Sequence, residues 1–269
     1  IFLRSTCLVS FVGNGILLLL LIHPNSRSLG NYQILLVSFA IADILISLFH
    51  VWYIPMFVLG EYGFIYYGYG SLFGRRFIAR NANIIFSTTF YLPFFLIGLH
   101  FIYRYISLTR PHLLAHSAWR FFALCTAYAL VYNTFFASLS AIVCNLGISD
   151  RFHRILADYE DRPLQETLNA AVVEYLDAQG QVNIPAIVII LSAGAVGGHS
   201  IVISLLSINK IVGSLNNRVL NITARRTHIQ LFRALLLQFS IPFIFSFVPF
   251  AVISALPAAG VHLDITGDV

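Results

Sequence analysis

"NANIIFSTTFYLPFFLIGLHFIYRYISLTRP", residues 81–111, decides how the rest of the chain is read. From Asn81 to Tyr103 it carries no charge, and Arg104 then stands between two tyrosines. A helix needs roughly 20 apolar residues to cross the hydrocarbon core of a bilayer. The run therefore predicts a membrane span that closes on an arginine. Four more uncharged intervals cover residues 5–26, 121–149, 178–209 and 234–263, and residues 28–60 form another, broken only by Asp43. Composition agrees. The 269 residues are 58% hydrophobic and 10% charged, with a mean hydropathy of +0.83, whereas a soluble domain is about 25% charged.

Six transmembrane helices are predicted, near 3–22, 32–54, 82–106, 118–143, 184–209 and 229–256, as one bundle over 1–269 with a long loop at 145–183. Charge sets the orientation. With the first terminus outside, the inner segments hold Arg27, Arg104, Arg110, Arg120, Lys210, Arg218, Arg225, Arg226 and Arg233 and no acid. The outer side holds Arg4, Arg75, Arg76, Arg80, Arg151, Arg154 and Arg162 with ten acids, most of them between Asp150 and Asp177. Bases near span ends favour the inner face, so the N-terminus is expected outside. "NIT" at 221–223 matches a glycosylation acceptor but then lies inside, and a glycan on Asn221 would reverse the topology. An even number of spans leaves "AAGVHLDITGDV" (258–269) outside and too short to cross again, so the chain reads as cut.

Catalysis is not expected. There is no GxSxG, HExxH, Walker A or Rossmann fingerprint, and the spans carry a single acid. The three cysteines show no CxxC spacing, and His50, His100 and His199 do not form a metal-ligand pattern. Neither a metal nor a cofactor is expected, and each histidine reads as buried and hydrogen-bonded.

The order is helix, short basic loop, helix with a buried acid, short outer loop, helix ending in arginine, long outer loop, basic third inner loop. It resembles a seven-helix G-protein-coupled receptor without its last helix. "SLGNYQILLVSFAIADILIS" (28–47), "HFIYRYISLTRP" (100–111) and "THIQLFRALLLQFSIPFIFSFVP" (227–249) narrow this to the nematode serpentine chemoreceptors of the Str/Srj type. The resemblance implies an all-α, rhodopsin-like bundle with six of seven helices present. It implies a receptor in the plasma membrane of sensory-neuron cilia that binds a small odorant or other cue and signals to a heterotrimeric G protein. Two departures stand out. Tyr103 fills the place of the acid that usually precedes the arginine, and no cysteine lies near the outer end of helix three. A Cys7–Cys144 bridge is the remaining disulfide to consider. Other readings of six spans are a transporter or channel subunit and a truncated, non-signalling receptor. The first usually shows internal repeats or several midplane charges, and neither is found.

Individual residues carry paired readings. Arg104 is an interfacial anchor snorkelling to headgroups, or, by resemblance, the arginine that holds the resting bundle and meets the G protein. Asp43 costs about 2.5–3.5 kcal/mol at a span centre unless it faces polar groups. Asn14, Ser38 or Ser47 are candidate partners, in a structural hydrogen bond or in the activation switch. Pro93 bends helix three, and Pro242 and Pro249 bend helix six. Those two bends suit a helix whose inner end swings. The resemblance thus assigns the switch to Asn14, Asp43, Arg104, Pro242 and Pro249, and the G-protein-facing surface to Tyr103, Arg104, Tyr105, Arg225 and Arg226. Depth and polarity single out Thr88, Thr89, Tyr91, Phe243 and Phe247 for ligand contact. Gly194 and Gly198 form a GxxxG expected to pack closely. "EYGFIYYGYG" (61–70) reads as an interfacial aromatic belt. Residues 162–180 read as an amphipathic helix with Leu164, Leu168, Ala171, Val172, Tyr175 and Leu176 on one face.

Overall fold

The structure is a computed structural model that describes residues 2–23, 30–60, 62–69, 76–143, 171–176, 179–217 and 222–260. In chain order these form α1 (Phe2–Ile22), α2 (Tyr32–Trp52), β1 (Ile54–Gly60), β2 (Gly63–Tyr69), α3 (Arg76–Thr109), α4 (Pro111–Val143), β3 (Ala171–Glu174), α5 (Ile184–Asn217) and α6 (Ile222–Pro242). From α6 the chain passes through a π-helical turn, Phe243–Phe247, into α7 (Val248–Ala258). Among the described residues the fold is all-α apart from one small sheet. Among the described residues, six helical stretches are long and apolar enough to cross a membrane: Ser5–Ile22, Tyr32–Trp52, Asn81–Thr109, Ala118–Val143, Ile184–Leu215 and His228–Ala258.

The helices outrun the apolar windows that announce them. α3 starts at Arg76, and α4 starts at Pro111, where a missing N–H costs nothing because the first turn has no partner for it. α2 does the reverse and stops at Trp52, short of residue 54. Pro55 disfavours helical geometry at Ile54, and the chain enters β1 there. A proline is tolerated because β1 is an edge strand.

β2 is the central strand, antiparallel to both neighbours, with Gly60 opposite Gly63 and Phe64 opposite Val173. The aromatic stretch expected as an interfacial belt is therefore a strand, and Tyr62 at φ 60° makes its turn. The amphipathic helix expected over 162–180 is corrected where it is described. Ala171–Glu174 is a strand, because Val172 and Val173 are stiff, β-branched side chains and β2 offers an unpaired edge. The remainder of that helix, 162–170 and 177–178, lies outside the described residues, as do Cys144 of the considered disulfide, Arg218 and Asn221.

Pro249 cannot donate to the carbonyl of Phe245, and its ring crowds that carbonyl. The π-helical turn at Phe243–Phe247 widens the backbone at this point, and Pro242 precedes it. The sixth span thus carries a wide turn between two prolines where sequence reading placed two bends.

The residues group into two compact units. One comprises residues 1–48, 91–133 and 195–246; the other comprises 49–90, 134–194 and 247–269. The second unit contains the sheet. Its core gathers Tyr53, Phe64, Tyr66, Phe86, Val143, Val173 and Tyr175. Phe250 of α7 meets Phe90 at 5.1 Å, Phe57 at 6.3 Å and Phe64 at 6.4 Å between ring centroids. Polar groups inside this core satisfy one another. The Tyr66 hydroxyl lies 2.8 Å from Ser87 Oγ and 3.2 Å from Ser140 Oγ, and the Tyr53 hydroxyl donates to Asn83 Oδ1 at 2.7 Å.

Tyr175 links the sheet to α7 by donating its hydroxyl to the Ser254 carbonyl at 2.8 Å. Burial of the phenol disfavours its ionised form and pushes its pKa up to about 12 from 10.0. A raised folded-state pKa means stability that is complete below the unfolded value and is lost as pH rises towards the folded one. The unfolding midpoint should therefore fall between about pH 10 and pH 12. Tyr175→Phe should flatten that fall in a pH series of melting curves; an unaltered slope would assign the alkaline loss to other groups.

Candidate functional site

The first unit contains Arg104, and its single acid is Asp43. Arg104 is 8% exposed, although an arginine is almost never buried unless paired. Asp43 is not placed to serve it. Tyr32 and Asp43 both lie on α2, eleven residues and hence about 16 Å of helix rise apart. It is Tyr32 that meets Arg104: the guanidinium carbon lies 3.7 Å from the centre of the Tyr32 ring. An aromatic face attracts a cation through its quadrupole, worth about 2 kcal/mol when water is excluded.

The surroundings hold Tyr32 rigidly. Tyr32, Leu35, Tyr103 and Leu114 form one buried cluster, with Phe121 and Phe122 packed against it. The Tyr32 hydroxyl lies 3.2 Å from His100 Nδ1, and Tyr32 and Tyr103 rings are 5.5 Å apart. Polar capacity is left over. Arg104 Nε and Nη2, His100 Nε2 and His228 Nδ1 are buried and make no hydrogen bond among the described residues. His228 lies within electrostatic reach of Arg104. A guanidinium with two unused N–H positions is prepared for a carbonyl or carboxylate acceptor.

The residues expected to face a partner divide. Tyr103 does not: its ring is enclosed by Tyr32, Phe121 and Phe122, because burying an aromatic ring outweighs presenting it. Tyr105 is half-buried, with the Lys210 ammonium 5.5 Å from its ring centre. Arg225 and Arg226 are exposed. Two residues beside Arg104 were not joined to it in the sequence reading. His100 precedes Arg104 by four positions and so shares its helix face, a signal that was legible. Tyr32 is 72 positions away, and no local pattern joins it to Arg104.

Asp43 lies half-buried and is hydrogen-bonded by the Asn14 side chain. Asn14 Nδ2 also donates to the Ser10 carbonyl at 2.9 Å, and Ser47 Oγ donates to Ser10 Oγ at 2.9 Å. Ser38 takes no part, since its hydroxyl returns to the Ile34 carbonyl at 2.9 Å.

The candidate ligand contacts are divided between the two units. Thr88 and Thr89, in the second unit, each donate to their own helix at 2.8 Å, to the Ile85 carbonyl. Tyr91, in the first unit, is buried. Phe243 stacks on Phe239 at 5.5 Å, and Phe247 is half-buried at the end of the π-helical turn.

His100 and His199 are hydrogen-bonded as expected, the latter to the Tyr128 hydroxyl and the Val196 carbonyl; His50 lies edge-on to Phe49 and Phe86. The GxxxG expectation is corrected. A Cβ on Gly194 or Gly198 would meet nothing within 4 Å, whereas one on Gly197 would lie 2.6 Å from Tyr91 Cε1. Gly197 faces a ring and the other two do not, because α5 turns about 100° per residue. Gly197→Ala should cost about 1–3 kcal/mol by overpacking, read as a lower melting midpoint. Gly194→Ala and Gly198→Ala should leave the midpoint unchanged, and equal effects at all three would refute this packing.

The family model described as the serpentine type 7TM GPCR chemoreceptor Str matches residues 1–269. No curated protein matches the chain.

Proposed function

The chain belongs to the Str family of serpentine seven-transmembrane chemoreceptors, G-protein-coupled receptors of multi-pass membrane type, and from that premise we propose that it binds a small chemical cue and passes the event to a heterotrimeric G protein. The observation carrying this reading is the buried Arg104, seated on the Tyr32 ring with two N–H positions unused. In the resting bundle the aromatic face holds the guanidinium. In the signalling bundle the same N–H groups donate to an acceptor on the G protein, and Arg225 and Arg226 add charge at the rim. Asp43 and Asn14 keep α1 and α2 in register, and the turn between Pro242 and Pro249 lets the sixth span bend. The N-terminus faces outward, consistent with the bases on the Arg104 side of the bundle, and the receptor resides in sensory-neuron cilia.

The cue binds towards the outer ends of the helices, with Thr88, Thr89 and Phe247 of the second unit as contacts. Each threonine donates its proton to the helix, so its oxygen is left to accept. This favours a cue with an N–H or O–H group. Purified receptor in vesicles with a G-protein heterotrimer tests the reading. Nucleotide exchange should accelerate with at least one member of a panel of small volatile and water-soluble alcohols, amines and acids. Exchange that ignores the receptor altogether would sink it.

A further inference from the structure

A cleft of about 260 Å³ opens between the end of α5 and the start of α6. Val212 and Leu215 form one wall; Ile229, Phe232 and Leu236 form the other; Arg225 and Arg233 complete the lining. Phe232 closes the back, 6.5 Å from the Phe101 ring of α3. Val212 is 42% exposed and both arginines are exposed. The cleft is thus apolar inside, cationic at one side and open to its surroundings.

Its position relative to the spans identifies what it takes. The sixth span begins at His228, and the fifth ends at Leu215. Arg225 therefore precedes the apolar window of the sixth span, and Ile229, Phe232 and Leu236 belong to it. Arg233 stands inside the same apolar window, eight residues and about 12 Å of helix rise from Arg225, and both line the cleft. Two guanidinium groups thus border one apolar cleft. Neither pairs with a carboxylate among the described residues, and the unit to which they belong contains Asp43 as its only acid.

We propose that this cleft binds an anionic glycerophospholipid. Its phosphate and anionic headgroup sit between Arg225 and Arg233, and the first part of one acyl chain lies along Leu215, Phe232 and Leu236. Charge complementarity selects an anion, and the span boundary crossing the cleft selects a lipid.

The test uses the full chain in nanodiscs of phosphatidylcholine with a minor fraction of phosphatidylserine. Lipid retained after detergent extraction is counted by native mass spectrometry. Two arginines near a membrane surface should give roughly a 30-fold preference for phosphatidylserine over phosphatidylcholine. Arg225→Gln with Arg233→Gln should abolish the preference. Val212→Trp, which fills the cleft from an exposed position and leaves both arginines, should abolish it too. Matching melting midpoints establish that the variants fold. Equal retention of the two lipids by the unaltered chain would overturn the proposal. So would a preference that survives Val212→Trp, which would indicate a diffuse basic surface. A double glutamine variant that keeps its lipid preference would overturn the proposal, whatever its effect on G-protein activation. No cue or G protein enters the lipid measurement, so its failure leaves the receptor reading untouched.

Discussion

Tyr32→Leu is expected to raise cue-independent nucleotide exchange by roughly 30-fold, the equivalent of about 2 kcal/mol for a desolvated cation–π contact. Leucine keeps the apolar volume of the cluster around Leu35, Tyr103 and Leu114 but has no π face to hold the guanidinium. Released from the ring, Arg104 is free to donate elsewhere, and the equilibrium moves towards the signalling bundle by the free energy lost from the resting one. Tyr32→Phe separates the two roles of the residue. It retains the ring under Arg104 and removes only the hydroxyl beside His100, so the rise should be much smaller. The measurement is basal exchange by receptor in vesicles, at equal receptor content. If Tyr32→Leu folds and leaves basal exchange unchanged, the ring contact is packing and holds no state.

Arg104→Ala should act in the opposite direction and reduce cue-evoked exchange by at least roughly 100-fold. Two hydrogen bonds from a charged donor contribute about 1.5–3 kcal/mol each, and alanine removes both of the N–H groups available to a partner. Arg104→Lys decides between the two readings of this residue. Lysine keeps a positive charge for phosphate headgroups but has neither the planar fork nor the stacking surface. A headgroup anchor should therefore tolerate lysine and restore near-normal signalling. A residue that donates to the G protein should remain strongly impaired. Cue-evoked exchange at saturating cue, compared across the three receptors, gives the answer.

The spans were legible because membrane insertion is a one-dimensional constraint. Each stretch of roughly 20 residues must be apolar by itself, so a window over the sequence finds it, and all six predicted spans have counterparts among the described helices. Helix ends were less legible. Once a helix leaves the hydrocarbon, polar residues continue it as readily as they would form a loop, and α3 and α4 run on accordingly. The sheet was not legible. "EYGFIYYGYG" has the aromatic content of an interfacial belt, and only the pairing of Phe64 with both Leu59 and Val173 makes it a central strand.

The residues proposed for the switch divide along the same line. Arg104, Asp43, Pro242 and Pro249 announced themselves because each is costly inside an apolar helix, and cost is visible residue by residue. What relieves each cost is a matter of distance in space. Asn14 beside Asp43 was one of several possibilities. The partner of Arg104 was open, since the place of the preceding acid is held by Tyr103. By itself the sequence determined that six stretches of the chain are long and apolar enough to span a membrane, with an arginine closing the third. Only the tertiary structure decided that the arginine rests on the face of Tyr32, because a π face carries no formal charge and α2 meets α3 there only once the chain has folded.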